Sequence, residues 1–379
     1  MSDSDPVIVQ AVRTPFGKED GVFDGVRPED LSVALVDEML DATGLDGEAI
    51  DDLMWGCAQQ RSEQGNNVAR VIALLSQLGE SVPATTVNRW CASSAQTIIS
   101  ASDAIRAGQR DAIIAGGVES MSRVKMGANN EMHPGLNDDY NVAALSMGMT
   151  AEAVAERYGV SREQQDDYAY RSHVRASEAS EAGRFEDEIV PIETDDGVVS
   201  TDEGIRHEID REKLAELPTV FKSDGTVTPG NASQITDGAA ATLITSRAFA
   251  AEHGLDVLAE VGNNAVAGVD PEVMGIGPVP ACRQLFERSG TTANDYDLVE
   301  LNEAFASQCE HCRQELGFDE DSFNVNGGAI ALGHPLGASG ARLPVTLIHE
   351  MHKRGAENGI ATECVGFGQG AAIEFSLPS

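Results

Sequence analysis

The stretch Val87-Asn88-Arg89-Trp90-Cys91-Ala92-Ser93-Ser94-Ala95-Gln96 decides how this chain is read. It follows a β-favouring run, Ala84 to Val87, and leads into a helical stretch that reaches about Ala107. Ala95, Ile98, Ile99 and Ile105 recur at helical spacing on one face, and Gly108 closes the helix. A cysteine at a helix N-terminus lies beside unpaired backbone N–H groups and the positive end of the helix dipole. Both favour the thiolate, the form that attacks carbonyl carbons. The plainer reading is a buried structural cysteine, and the rest of the chain has to decide between the two.

At 379 residues and 40.0 kDa the chain exceeds one typical core, which predicts two domains with an insertion. Its 41% hydrophobic content is ample for burial. The opening residues are acidic, with no charged-then-apolar leader, and no apolar run approaches membrane-spanning length. Cysteines 57, 91, 282, 309, 312 and 364 are scattered without a disulfide pattern. A cytoplasmic, soluble protein without a membrane partner is expected. Charge is the outlier: 62 acidic against 26 basic residues, net −36, with the acids dispersed as singlets and short pairs. Such self-repulsion is relieved where salt shortens the screening length, so the reading is a salt-rich cytoplasm, that of a halophile. Nucleic acid is excluded as a partner by the same charge.

An internal repeat organises the chain. Val7 to Val12 is a β-type run, a helix is predicted from about Pro28 to Thr43, and Gly44 precedes a strand over Asp52 to Gly56. A shift of 246 positions superposes Gly290 on Gly44, Asp297 on Asp51, and Leu298-Val299-Glu300-Leu301 on that strand. A second unit, Asn88 to Gly117, finds its partner in Asn324 to Gly366. A duplicated β/α chain predicts two similar α/β halves packed on each other. The boundaries expected are residues 1–120 with 236–257 for the first half, 121–235 for an inserted domain, and 258–379 for the second half. Within the insertion, helices are expected at 151–158 and 161–182, the second capped by Ser161.

Four further stretches are candidates for chemistry. Asn302-Glu303-Ala304-Phe305-Ala306 directly follows the repeated strand of the second half, where open α/β sheets place ligands. Residues Asn326 to Arg342 carry glycines at 327, 328, 333, 337 and 340 and present His334 at the mouth of a helix. Cys364-Val365-Gly366-Phe367-Gly368-Gln369-Gly370 sets a thiol at a strand end before a turn whose N–H groups suit an oxyanion. Thr228 to Ala240, polar and flexible before an apolar strand, suits contact with a ligand beneath the insertion. By contrast, the Cys309-x-x-Cys312 spacing has no second cysteine pair, so no metal site is expected. His349 and His352, at the polar end of a late helix, read as solvated.

Taken in order, the Val-Asn-x-x-Cys turn, Gly116-Gly117-Val118-Glu119-Ser120-Met121-Ser122, Asn-Glu-Ala-Phe-Ala, Gly-His-Pro-Leu-Gly and the terminal Cys-Val-Gly turn resemble the thiolases. The resemblance covers essentially the whole chain. It implies the thiolase fold, two βαβαβαββ-type halves in a layered αβαβα arrangement with an inserted loop domain. It implies Cys91 as the acylated nucleophile and His334 as the group that activates it, with a water held by Asn302 at the enolate. Cys364 is implied as general acid/base, and the N–H groups of Cys91 and Gly366 as oxyanion donors. Coenzyme A is implied as a substrate rather than a permanently bound cofactor, held near Ser233, Arg206, Phe221, Met147 and Phe305. A homodimer or homotetramer associated with other β-oxidation enzymes is the implied assembly.

Some positions depart from the family pattern. Trp90 is bulky, Ser94 stands where many members have glycine, and Phe367 and Gln369 replace a small residue and a methionine of short-chain biosynthetic members. Trp55-Gly56-Cys57-Ala58-Gln59-Gln60 and His133-Pro134-Gly135-Leu136 resemble the degradative branch. The expectation is a 3-ketoacyl-CoA thiolase of fatty-acid β-oxidation. An acetoacetyl-CoA thiolase of biosynthesis is the alternative within the family, and a non-catalytic acyl-CoA carrier the alternative outside it.

Overall fold

A computed structural model of the chain describes residues 2–127 and 131–378. The first half runs β1 (Pro6–Arg13), α1 (Pro28–Thr43), β2 (Asp52–Gly56), α2 (Val68–Leu75), β3 (Ala84–Val87), α3 (Ser93–Arg106) and β4 (Ala112–Ser120). A long excursion follows before β5 (Thr236–Ser246), and it carries α4 (Met147–Tyr158) and α5 (Arg162–Glu181). The second half runs β6 (Ala259–Gly268), α6 (Pro278–Ser289), β7 (Leu298–Leu301), α7 (Ala306–Leu316), α8 (Leu336–Arg354), β8 (Asn358–Val365) and β9 (Gln369–Ser376). Its missing strand, the counterpart of β3, survives as one parallel bridge between Val299 and Phe323.

The strands form one sheet in the order β3-β2-β4-β5-β1-β6-β9-β8-β7, with a two-residue strand, Gly17–Lys18, added against β5. Within the sheet, among the described residues, strands of the two halves pair only where Val7 and Ile8 of β1 meet Glu260 and Ala259 of β6. Around this narrow seam the sheet wraps α3 and α8. Ile98, Ile99 and Ile105 of α3 and Leu343, Leu347, Ile348 and Met351 of α8 share one core with Ile8, Ile244, Val261 and Phe375 from strands of both halves. A second core lies under α1 and α2, and a third under α6 and α7. Helices therefore lie outside, between and outside again, which is the five-layer arrangement expected.

The duplication extends to hydrogen bonds. Gly44 and Gly290 end α1 and α6 in the left-handed conformation, their N–H groups bonded to Leu40 and Phe286 carbonyls. Asp51 Oδ2 accepts the N–H groups of Asp111 and Ala112 at 2.6 and 3.1 Å; Asp297 Oδ2 accepts those of Glu357 and Asn358 at 2.8 and 3.0 Å. Each aspartate thus fixes the start of the strand parallel to its own. At the end of α8 the histidines do more than face water. His349 Nε2 lies 2.8 Å from the Ala11 carbonyl and His352 Nε2 2.8 Å from that of Leu258, so both tie the helix to the seam.

Two glycines set the approach of the halves. A Cβ on Gly117 would lie 2.1 Å from the Gly337 carbonyl oxygen, and one on Gly337 2.4 Å from that of Val118. Strand β4 and the start of α8 touch backbone to backbone, and any side chain would part them. We expect Gly117→Ala to cost at least about 2 kcal/mol, read as a lowered urea midpoint, because neither backbone can yield. Gly25→Ala, which meets open space, serves as the control and changes stability by no more than about 0.5 kcal/mol.

Candidate active site

The nucleophile turn is sharper than a simple strand-to-helix junction. Helix α3 begins at Ser93, so Cys91 lies in the turn before it, preceded by Trp90 at φ 47°. This left-handed conformation is sterically costly for a bulky residue. Phe367 in the facing turn is also left-handed, at φ 62°, and its ring lies 5.5 Å from that of Trp90. The two turns are joined by Arg89, whose Nη1 donates to Gln369 Oε1 at 2.8 Å. Ser94 accepts the Ala341 N–H of α8 on its Oγ at 2.9 Å, a link a glycine there could not make.

Cys91 is buried with Ala58, Met121, Leu336 and Trp90. The backbone N–H of Gly366 and its own N–H are directed at the thiol. The expectation that the helix terminus would favour the thiolate is corrected here. Burial, with the charge of Glu363, pushes the thiol up to about 12, and the two N–H groups offset only part of this. Cys91 rests as a thiol and needs a base.

His334 is held as a neutral imidazole. Burial, with the charge of Arg342, draws its imidazole down to about 3, so the ring is neutral. Nδ1 lies 2.6 Å from Ser339 Oγ, and that hydroxyl donates to the Pro335 carbonyl at 3.0 Å. With the hydroxyl proton so engaged, Nδ1 carries the ring proton and Nε2 the lone pair, a tautomer assigned from the hydrogen-bond network. Asn302 places Nδ2 within 3.3 Å of both ring nitrogens, while its Oδ1 is buried without a partner. An orphaned acceptor beside an imidazole fits the place expected for a bound water.

Cys364 ends β8, buried among Ala151, Val227, Met274, Ala304 and Phe305, with Met147 and Ala232 packed on them. Its thiol is pushed well up by burial and next by Cys91. Phe221 crosses Phe305 edge to face at 6.3 Å and lies directly over Gly148. Ser233 donates its N–H to the Ala304 carbonyl at 3.0 Å. Ser233, Phe221, Met147 and Phe305 are therefore brought together around Cys364. Arg206 is exposed further along, its charge felt by His173 of α5. Cys309 and Cys312 are buried on α7, their thiols directed at the carbonyls of Asn302 and Gly275.

Several supporting groups escaped the sequence reading. The Glu119 carboxylate accepts the N–H groups of Ala58, Gln59 and Gly337 at 2.9, 3.1 and 2.9 Å and the Gln64 amide. Glu303 takes Tyr168, Ser172, Asn324 and the Ile330 N–H. Both stand inside motifs already singled out, yet nothing in their spacing told which backbone they would meet. Ser339, five residues after His334, likewise stood inside a motif already singled out, and its contact with the ring was not readable from spacing.

A layered α/β fold with two buried thiols and a neutral imidazole at strand and helix ends is that of a class of acyl-transferring proteins. The model described as "Thiolase, N-terminal domain" matches residues 6–248, and "Thiolase, C-terminal domain" matches residues 255–376. The chain belongs to the thiolase family. It is 48% identical to a 3-ketoacyl-CoA thiolase of Pseudoalteromonas translucida over 98% of each chain. A 3-ketoacyl-CoA thiolase of Cronobacter sakazakii is also 48% identical, over 97% of this chain and 98% of that one. The crystal structure of the Bacillus anthracis acetyl-CoA acetyltransferase superposes with a TM-score of 0.91 at 39% identity, covering 99% of each chain.

Removing the group that orients the imidazole tests the tautomer. Ser339→Ala is expected to lower kcat roughly tenfold, the value of about one hydrogen bond at the base, with KM little changed. The kcat/KM profile should lack an inflection near the ordinary imidazole value of about 6.5. Between about 3 and that value the unfolded chain binds a proton that folded His334 refuses, so stability falls as pH drops through this window.

Proposed function

We propose that this chain is an acetyl-CoA C-acyltransferase that cleaves 3-ketoacyl-CoA with coenzyme A, giving acetyl-CoA and a shortened acyl-CoA. The reading is supported by Cys91, under the Gly366 N–H, lying near Cys364, by Leu336, two residues after His334, packing with Cys91, and by His334 against Asn302. The names of the relatives support the same activity.

In the first half-reaction the Cys91 sulfur attacks the 3-keto carbon as His334 Nε2 takes the thiol proton. The N–H groups of Cys91 and Gly366 receive the developing oxyanion. Cleavage of the bond between C2 and C3 leaves a thioester on Cys91 and the enolate of acetyl-CoA, which His334 and a water held by Asn302 Oδ1 stabilise. Cys364 gives its proton to C2. In the second half-reaction the Cys364 thiolate takes the proton of incoming CoA, whose sulfur attacks the acyl thioester and displaces the Cys91 sulfur, to which His334 returns the proton it took. The imidazolium of His334 and the thiolate of Cys364 offset each other between the two half-reactions.

Apolar Phe221, Phe305 and Met147 would flank the pantetheine arm, Ser233 would meet its polar groups, and exposed Arg206 would meet the phosphates. Residues 1–120 with 236–257 and 258–379 are proposed as the two catalytic halves, and 121–235 as the cover over coenzyme A. A role in fatty-acid β-oxidation, in the cytoplasm of a salt-loving cell and beside other enzymes of that pathway, completes the reading. Net charge −36 supports the salt dependence. A homo-oligomer is supported by the edge strand β3, beside which Leu74 and Leu75 of α2 stand 53% and 59% exposed.

The direct test is kcat/KM for thiolysis of 3-ketoacyl-CoA substrates of increasing length in molar KCl. Values rising beyond acetoacetyl-CoA support the degradative role; activity on acetoacetyl-CoA alone points to biosynthesis, and none at all removes the assignment. Cys91→Ser and Cys364→Ala should each lose roughly a thousandfold or more in kcat. Tm should fall when molar KCl is withdrawn, and an unchanged Tm contradicts adaptation to salt. Light scattering in molar KCl should give at least a dimer.

A further inference from the structure

Strand β8 carries a buried acid that the chemistry above does not use. Glu363, next to Cys364, is 1% exposed, and neither carboxylate oxygen has a hydrogen-bond partner. Buried carboxylates are normally satisfied, so this one calls for an explanation. Its side chain enters the layer between α3 and α8: a Cβ on Gly340 would lie 2.4 Å from the Ala95 nitrogen and 2.6 Å from Glu363 Oε1. The carboxyl therefore sits at the first turn of the helix that follows Cys91. Across from it, Arg342 of α8 donates Nη1 to Glu300 at 2.8 Å but leaves Nε and Nη2 buried and unpartnered. Two orphaned oxygens and two orphaned guanidinium nitrogens thus occupy one buried layer beneath the Cys91 turn.

We propose that Glu363 is a positioning residue of the thiolase reaction, a charge competitor that shares the positive end of α3 with the Cys91 sulfur and keeps that sulfur protonated until His334 takes its proton. Two like charges at one buried helix terminus disfavour each other, so ionisation of either group suppresses the other. Charged or titratable groups facing the pair are Arg342 and, through it, Glu300; Cys364 on the same strand; and Glu119 of β4 on the Cys91 side. Burial pushes the Glu363 carboxyl well above its ordinary range, and Arg342 opposes this. Glu363 is also the leading charged contributor to the raised Cys91 thiol. The carboxyl at the helix terminus that should have acidified Cys91 adds to the burial that chiefly raises its thiol.

The proposal rests on Cys91 being the acylated residue, but its test reads only the ionisation of that thiol. The pH dependence of iodoacetamide alkylation at Cys91 is followed by peptide mass spectrometry in the wild type and in Glu363→Gln, which keeps the shape and removes the charge. The variant is expected to shift the alkylation midpoint down by about one pH unit, and so to alkylate faster at a given alkaline pH. A merely structural role would leave the midpoint in place, and an unshifted midpoint in the folded variant overturns the proposal. Glu363→Met, apolar and of similar length, is the second variant, and the same shift is required of it. Should neither fold, infrared spectra of the wild type decide: a carboxylate band at about pH 7 whose intensity changes as the Cys91 S–H band titrates supports the competition. Independent titration of the two bands refutes it. Full turnover of Cys91→Ser would instead sink the nucleophile assignment and leave the alkylation result standing.

Discussion

The arrangement depends on one carboxylate. Glu119, at the end of β4, accepts backbone N–H groups from the loop after β2 and from the first turn of α8, elements that belong to opposite halves of the chain. The halves otherwise share a seam two residue pairs wide and the packing of α3 on α8. Hydrophobic packing sets the distance between layers but is indifferent to sliding. A buried anion with several N–H donors is not, since displacement by an ångström leaves it unsatisfied. Glu119 thereby holds the turn that carries Cys91 and the helix mouth that carries His334 in one register. The glycine contact between residues 117 and 337 sets the same register sterically.

Within that frame the chemistry is organised around neutrality. Cys91 and Cys364 are pushed up, and His334 is drawn down, all chiefly by burial. In a site of low polarity a proton passes between neighbours more cheaply than a charge persists. In the proposed mechanism the oriented N–H groups receive the oxyanion and the unpartnered Asn302 amide oxygen holds the water. The buried Glu300–Arg342 pair, with Glu363 beyond it, places charged groups under both the nucleophile and the base. Two sulfurs serve better than two carboxylates, because the first must carry an acyl group as a labile thioester.

Much of this was legible in the chain. A shift of 246 residues predicted the pairing of α1 with α6 and of β2 with β7, and it proved to hold down to the bonds of Asp51 and Asp297. Local signals sufficed there, since caps and strand starts depend on neighbours in sequence. The nucleophile, base and second thiol were legible as glycine-flanked turns at element ends. What was not legible depended on contacts between halves. The charge state of Cys91 is set chiefly by burial, to which Glu363 adds from far along the sequence, and that glutamate reads locally as an ordinary strand residue. Glu119 stood in plain view within its motif, but its partners lie at positions 58, 59 and 337. His349 and His352 looked solvated because their carbonyl partners lie on β1 and just before β6.

The central claim is that Cys91 carries the acyl group while Cys364 moves protons. The most direct measurement is a single turnover of a medium-chain 3-ketoacyl-CoA in the absence of free coenzyme A, with acetyl-CoA quantified and the protein mapped by mass spectrometry. The account predicts one acetyl-CoA released per site and one thioester-linked acyl group, on Cys91. An acyl group recovered on Cys364, or acetyl-CoA released with no acylated cysteine, would contradict it.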